Sequence, residues 1–313
     1  MSSTHRDSFR TVHYELRPAK QVERRMIIDA LRLLSLAGFP IDDYQYTGVG
    51  SVFFVDFILF HKFLGITDML NAEHSDIPRR VAFNQPYDFI RTEFSPIGDL
   101  IPTLSSDKKH LLWLDYDDVL QRTHIEDVLL ATTYLTPGSL LLVTVDVEPP
   151  GKGEGPRQWR DYFVSIADKY LTSTDIENFT KSNLPKINAG IFARAIRDGL
   201  APRTNVRFFP LFNFLYADGH QMLCLGGMIG TDVERRYLRG SKIYKVDYIR
   251  RDLEGEAFRI KVPVVTRKER LYLDSNMPCS TDFKPAEFEF PAEDIASYRE
   301  IYRFFPAYAE LLL

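Results

Sequence analysis

The stretch YQYTGVGSVFFVDF, Tyr44–Phe57, decides how the chain is interpreted. A strand-like run leads into Gly48 and Gly50, and an apolar segment of helical length follows. Glycines at a turn from a strand into a helix let a ligand approach the backbone, and the N–H groups at the helix start favour anions. Two glycines also serve plain turns, so the surrounding chain has to show whether this turn belongs to a ligand-binding sheet.

The surrounding chain has the pattern of such a sheet. Strand-like and helical segments alternate five times between Tyr44 and Pro150, which predicts a parallel sheet with helices on both faces. Further along, two apolar runs flank the segment ADGH at 217–220, a hairpin signal. We therefore predict an α/β fold: a doubly wound, mostly parallel seven-stranded sheet with a C-terminal antiparallel hairpin, an N-terminal helix and a C-terminal extension.

The segments outside this pattern divide the chain into three parts. Residues 1–40 are predicted to form an N-terminal arm and a helix that starts near Pro18. Residues 41–230 form the sheet-containing domain, with a helical insertion at 151–202 after a glycine-rich connection. Residues 231–313 are more polar and are predicted to form the C-terminal extension.

Charge and cysteine content exclude several classes of function. The net charge of −4 over 313 residues argues against nucleic acid as a partner, and we interpret Lys20, Arg24 and Arg25 near the helix start as a solvent-exposed face. Cys224 and Cys279 lack zinc-site spacing, and so few cysteines predict a reducing, cytoplasmic setting. No apolar run has the length of a membrane span, so no membrane contact is expected.

The order of these segments resembles the class I S-adenosylmethionine-dependent methyltransferases. TGVG resembles the first motif of that family, AEH the second and LLWLDYDD the fourth, and the runs around ADGH resemble its last two strands. The resemblance covers about Tyr44 to Gly230. The chain is also similar to bacterial proteins described as O-methyltransferases, which implies methyl transfer from S-adenosylmethionine, to oxygen, on an acceptor that stays unknown.

The resemblance also implies roles for individual residues. Gly48 and Gly50 would face the methionine part of the cofactor and Glu73 its ribose. The ribose role agrees with the position of Glu73 at the end of the second strand, where an acidic side chain of a dinucleotide fold accepts hydrogen bonds from ribose hydroxyls. Glu93, which ends the third strand, would lie by the adenine amino group, and Asp115, which ends the fourth, would face the reaction centre.

Two positions depart from the family pattern. Tyr46 stands where an acidic residue is usual, and Val52 stands where a third glycine is common. These departures keep an alternative open, in which the chain is a catalytically inactive Rossmann-like module that binds a partner protein in a multi-protein bacterial system.

Carboxylates that end neighbouring strands are the candidates for catalysis. Asp115 and Asp117 follow the fourth strand and Asp146 ends the fifth, so a parallel sheet brings them to one edge. We predict that they act at the reaction centre, where Asp115 is the base for an acceptor hydroxyl. The alternative is that the carboxylates bind Mg²⁺, which prefers oxygen ligands.

Overall fold

The computed structural model describes residues 14–151 and 153–306, so the predicted arm up to residue 13 lies outside the described residues. The described chain holds eight strands in one sheet. They are β1 (Gln45–Gly48), β2 (Asp68–Ala72), β3 (Ile90–Glu93), β4 (His110–Val119), β5 (Leu140–Asp146), β6 (Arg207–Asp218), β7 (His220–Gly230) and β8 (Phe258–Ile260). Their order across the sheet is β3-β2-β1-β4-β5-β7-β6-β8.

This topology confirms the predicted fold class. Strands β1 to β5 pair in parallel, and β7 pairs antiparallel with both β5 and β6. The hairpin turns at Gly219 alone, whose φ of +104° suits a residue without a side chain. The sheet has one strand more than predicted, because the C-terminal extension adds β8 in parallel beside β6. A segment this short gives no clear periodic signal in the sequence.

Helices cover both faces of the sheet. They are α1 (Pro18–Leu36), α2 (Val55–Leu64), α3 (Pro78–Asn84), α4 (Ile97–Leu100), α5 (Arg122–Tyr134), α6 (Pro156–Ala167), α7 (Ser173–Glu177), α8 (Leu184–Leu200), α9 (Asp232–Gly240), α10 (Arg267–Ser275) and α11 (Ala292–Ile301). Two apolar clusters form the core, one on each face: α1 and α2 contribute to the first, and α5 and α8 to the second. Over the two described ranges, none of these helices combines the length and the apolar composition that crossing a membrane requires.

The prediction that the basic residues of helix α1 form a solvent-exposed face is wrong. The helix starts at Pro18 as predicted, but Lys20 is 1% exposed and Arg24 is 2% exposed, so neither lies on a solvated face. Arg25 is part-buried and donates to the backbone carbonyl of Phe305 at 2.7 Å. Lys20 and Arg24 point towards acidic partners that lie far away in the sequence, which is why their local spacing suggested a surface.

The start of α1 lies over the edge where β1 to β5 end, here called the carboxyl edge. Strand β6 runs parallel to β5, so its last residue, Asp218, reaches the same edge. The carboxylate of Asp218 accepts hydrogen bonds from the backbone N–H groups of Ala19 and Lys20, both at 2.9 Å. These N–H groups have no partner within the helix, so Asp218 satisfies them and fixes the first turn of α1 above the sheet.

Candidate active site

The two glycines of the turn after β1 make room for the protein's own side chains. A Cβ atom on Gly48 would lie 2.4 Å from the hydroxyl oxygen of Tyr46, and one on Gly50 would lie 2.9 Å from Oδ1 of Asn71. Real Cβ atoms essentially never show such distances, so a side chain at either position would displace Tyr46 or Asn71, and the packing accounts for both glycines without a ligand. Tyr46 itself is fully buried against Phe57, which explains why an aromatic ring fits where related proteins have an acidic residue.

A chain of buried polar groups fixes this turn to the neighbouring strands. The N–H of Gly50 donates to Oδ1 of Asn71 at 2.7 Å, and Nδ2 of Asn71 donates to the hydroxyl of Thr92 at 3.3 Å. That hydroxyl in turn donates to Oε1 of Gln85 at 3.0 Å. The turn is therefore held in one conformation by β2, β3 and the loop before β3, as a preorganised binding loop requires.

The same turn presents free backbone donors. Ser51 and Phe54 have φ values of 50° and 49°, in the left-handed region that is costly for residues other than glycine. Within the described residues, the N–H groups of Ser51 and Val52 find no acceptor. Paired N–H groups in a strained turn just before a helix are suited to bind a carboxylate. The methionine part of S-adenosylmethionine carries one, so this turn fits the cofactor.

Glu73 and Glu93 end adjacent strands, yet their surroundings differ. Glu73 is 6% exposed, and its Oε1 accepts from the backbone N–H groups of His74 and Ser75 at 2.9 and 2.8 Å. No described residue donates to its Oε2, which leaves that oxygen for a ligand. The side chain of Glu93 is 49% exposed and lies 3.6 Å from Nε of Arg91. Glu73 is therefore held rigidly, and Glu93 is a surface residue.

Asp115, whose side chain is 20% exposed, contacts a group of buried charges under α1. The ammonium of Lys20 lies 2.8 Å from Oδ1 of Asp115 and 2.9 Å from Oε2 of Glu23. It also lies 4.4 Å from the centre of the Trp113 ring, a cation–π contact. The Glu23 contact is an ion pair between residues three positions apart on α1, and both side chains are buried.

The electrostatics of this group limit what Asp115 can do. Burial opposes the charge on Lys20, but the attraction of Asp115 and Glu23 outweighs burial and raises the pKa of Lys20 well above its usual value. Burial likewise favours a neutral Asp115, but Lys20 overcomes this and lowers the pKa of Asp115. Burial raises the pKa of Glu23. A carboxylate with a lowered pKa and a cation already bound is a weak base.

A second charged pair extends the group. Nε of Arg24 donates to Oδ1 of Asp56 on α2, and both residues are buried. The pair ties α1 to the helix that follows the glycine turn. Lys20, Glu23, Arg24, Asp56 and Asp115 are called the α1 charge cluster below.

Asp146 has a different partner. Its Oδ2 lies 2.7 Å from Nδ1 of His220, and its Oδ1 accepts from the backbone N–H of Glu148 at 2.6 Å. Asp146 is 4% exposed, whereas the His220 side chain is 72% exposed. A carboxylate facing Nδ1 fixes the tautomer in which Nδ1 carries the proton, so Nε2 is left as an acceptor that faces solvent at the carboxyl edge. This pair is called the His220–Asp146 dyad.

The structure thus separates the carboxylates that the sequence grouped together. Asp115 is in register with Thr144 and Val119 with Asp146, so Asp115 and Asp146 are offset along the sheet and bind different partners. Asp117 is exposed on β4. Across 14–151 and 153–306, no three His, Cys, Asp or Glu side chains form a group that suits a metal ion.

Sequence reasoning missed Lys20, Glu23, Asn71 and His220. His220 was present in the ADGH signal, where it was interpreted only as part of a turn. The available signal was a histidine in the turn between the last two strands, because that turn lies at the carboxyl edge. No comparable signal marked Lys20, because its partner Asp115 is 95 residues away.

The strand order, with parallel β1 to β5 and an antiparallel β7, defines the class I methyltransferase fold. Residues 12–313 match the family described as "Putative O-methyltransferase", and the chain belongs to that family. The family description names methyl transfer to oxygen as the activity of its members.

Solved structures similar to this chain are distant. Trm1 from Pyrococcus horikoshii, solved with S-adenosyl-L-methionine, is 14% identical with a TM-score of 0.43, and the match covers 70% of this chain and 57% of Trm1. The N-methyltransferase NodS from Bradyrhizobium japonicum is 12% identical with a TM-score of 0.36, covering 67% of this chain and 97% of NodS. This chain therefore spans less than two thirds of Trm1. No curated protein matches the chain.

Proposed function

We propose that the protein transfers a methyl group from S-adenosylmethionine to a hydroxyl oxygen of its acceptor, with the His220–Asp146 dyad as the proton-accepting group. The observation that carries this proposal is the 2.7 Å contact between His220 Nδ1 and Asp146 Oδ2 at the carboxyl edge. Histidine is the commonest general base in enzymes, and a buried carboxylate is its usual orienting partner.

The cofactor would be held by the turn after β1 and by Glu73. The N–H groups of Ser51 and Val52 would donate to the carboxylate of its methionine part, and Oε2 of Glu73 would accept from its ribose hydroxyls. Glu93 lies on the neighbouring strand, where its carboxylate would accept from the adenine amino group. When bound, the cofactor supplies a methyl group on a positively charged sulfur.

The dyad would remove the proton that an acceptor hydroxyl loses as it is methylated. Nε2 of His220 takes that proton, and the carboxylate of Asp146 keeps Nδ1–H in place and stabilises the imidazolium that forms. Proton transfer by a positioned side chain contributes about 10²–10⁴-fold to a rate. Asp115 then has a positioning role, because it holds Lys20 and with it the start of α1 over the site.

The test begins with binding, which needs no acceptor. Calorimetric titration with S-adenosylmethionine and with S-adenosylhomocysteine should show one site for each ligand. Turnover is then measured as formation of S-adenosylhomocysteine with matched panels of phenols, aliphatic alcohols, hydroxy acids and amines. Activity confined to the hydroxyl compounds supports the proposal, and activity confined to amines would refute transfer to oxygen.

A non-catalytic partner module is the second candidate. One observation favours it: the packing of Tyr46 and Asn71 accounts for both glycines of the turn, so they are not evidence of a bound ligand by themselves. The calorimetric titration separates the two candidates. Absence of binding to either ligand in the folded protein would favour the partner module.

A further inference from the structure

A cleft rich in arginine lies far from the proposed reaction centre. Phe209, near the start of β6, and Ser241, just after α9, form part of its wall. The cationic side chains of Arg235, Arg239, Lys245 and Arg251 line the rest around Tyr244. The cleft has a volume of about 350 Å³, within the range of small-molecule sites. These residues are called the basic cleft.

The basic cleft is at the opposite edge of the sheet from the His220–Asp146 dyad. Phe209 and Asp218 lie near the two ends of β6, and a strand of that length separates them by about 30 Å. A ligand in the cleft is therefore not the acceptor that reacts at the carboxyl edge. The proposal for the cleft therefore does not depend on the proposal for the methyl-transfer site, and the two are tested separately.

The positive charge of the cleft is largely uncompensated. None of the residues that line it is acidic. Arg235 lies 3.5 Å from Asp232, but the Asp232 side chain is 74% exposed, so this surface pair neutralises little. Arg239 and Lys245 form no ion pair with any described residue, and both are exposed. A chain with a net charge of −4 thus concentrates four cations around one concavity.

The guanidinium groups converge on one tyrosine. Arg251 stacks over the ring of Tyr244 at 4.2 Å and donates to its backbone carbonyl at 3.3 Å. Burial raises the pKa of Tyr244, and the charges of Arg251, Arg239 and Arg235 all oppose that rise. The phenol consequently stays protonated near neutral pH and offers an O–H donor beside the cations.

We propose that the basic cleft binds a small ligand that carries at least two phosphate charges. Guanidinium groups form paired hydrogen bonds with phosphate oxygens, which explains the choice of arginine at three of the four cationic positions. Four cations exceed what a single carboxylate neutralises. The ring of Tyr244 is covered by Arg251, so the anion is held by charge and by hydrogen bonds from the cleft wall.

The test uses inorganic pyrophosphate with the full chain, titrated by calorimetry at low ionic strength. Because charge-assisted contacts are lost, the variant R239A/R251A should bind pyrophosphate about tenfold or more weakly than the unmodified protein. R267A/K268A, which removes the same charge from an exposed turn of α10, is the control and should bind unchanged. R251K keeps the charge but not the paired geometry, so its affinity should be intermediate.

Three results would overturn the proposal. The first is no binding of pyrophosphate at low salt, and the second is equal loss of affinity in R239A/R251A and R267A/K268A. The third is tighter binding of citrate than of pyrophosphate, because that would indicate a carboxylate site. If R239A/R251A melts at a lower temperature than the unmodified protein, K245E at its exposed position replaces it, with the same weakening expected. Methyl-transfer activity does not enter any of these measurements.

Discussion

Asp115 lies within β4 and Asp146 ends the neighbouring parallel strand β5, and the two carboxylates differ in the partners that they bind. Asp115 pairs with Lys20, which is 1% exposed, within the α1 charge cluster. Asp146 is buried, but its partner His220 is 72% exposed. A buried cation contributes to the stability of the fold, whereas a solvent-exposed imidazole is accessible to an acceptor molecule. The two carboxylates are thus distinguished by the exposure of the residues that they bind.

The largest expected effect concerns the exposed pair. His220→Gln keeps a donor towards Asp146 but removes the base, so kcat should fall by about 10²–10⁴-fold with a hydroxyl acceptor. Asp146→Asn should also lower kcat, because the amide no longer fixes the tautomer of His220. S-adenosylhomocysteine formation measures both rates.

His74→Gln is the matched control for His220→Gln, because His74 is likewise an exposed histidine at the carboxyl edge. It should keep full activity. Calorimetry should show unchanged binding of S-adenosylmethionine in all three variants. If His220→Gln retained the rate of the unmodified protein, the His220–Asp146 dyad would not be the base. Asp146 would then have a structural role, as Asp115 has.

The second effect concerns the buried pair. Lys20→Met preserves much of the side-chain volume but leaves Asp115 and Glu23 without their shared cation. Loss of one partner of a buried ion pair costs about 3–5 kcal/mol, so the free energy of unfolding should fall by about that amount. Denaturant titration measures it. Lys268→Met, on an exposed turn of α10, should change the value by less than about 0.5 kcal/mol; equal changes would contradict a buried role for Lys20.

The α1 charge cluster also marks where sequence reasoning reaches its limit. The alternation of strands and helices, the hairpin and the start of α1 follow from local periodicity and turn signals, and all were predicted. The partners of Lys20 and Arg24 lie 95 and 32 residues away, and Asp146 meets His220 across 74 residues. Such pairs arise only when the sheet brings separate elements together, so no spacing in the sequence encodes them.

The glycine turn shows a different limit, because here the sequence identified the residues but not their contacts. Gly48 and Gly50 were found from the sequence, but the reason for them was not, because the hydroxyl of Tyr46 and Oδ1 of Asn71 occupy the space of their missing side chains. A Gly50→Val variant would therefore lose cofactor affinity through misfolding of the turn as readily as through a blocked ligand. Substitution of Glu73 is the cleaner probe of this site.

A third effect concerns His124, whose pKa is lowered to about 3 by burial. Its Nδ1 accepts the N–H of Gln121 at 3.2 Å, so protonation there would break the cap of α5. Asp118 lies 3.3 Å from Nε2 of the same ring. The unfolded chain binds the proton near the ordinary pKa of 6.5, so the contribution of His124 to stability is complete above that pH and is lost as pH falls towards 3.

Between pH 7 and pH 5 this linkage should lower the free energy of unfolding by about 2 kcal/mol. His124→Asn keeps an acceptor near the N–H of Gln121 but does not titrate in this range. The pH-dependent difference between the two proteins, measured by denaturant titration at both pH values, isolates the histidine. Parallel pH profiles for the two proteins would mean that the pKa of His124 is not lowered in the folded state.

The smallest effect compares the two other strand-end acids, Glu73 and Glu93. Glu73→Gln retains an amide oxygen for the N–H groups of His74 and Ser75, but its NH₂ group cannot accept from ribose hydroxyls as Oε2 does. Loss of one charge-assisted hydrogen bond, worth about 1.5–3 kcal/mol, should weaken binding of S-adenosylmethionine about tenfold or more. Glu93→Gln should weaken it by about threefold at most, because Glu93 is half exposed and already faces Arg91. Calorimetry measures both affinities without an acceptor, and thermal melting checks that each variant is folded. Equal affinity of Glu73→Gln and the unmodified protein would remove Glu73 from the cofactor site, whereas a larger loss in Glu93→Gln would mean that the exposed acid, and not the buried one, carries the recognition.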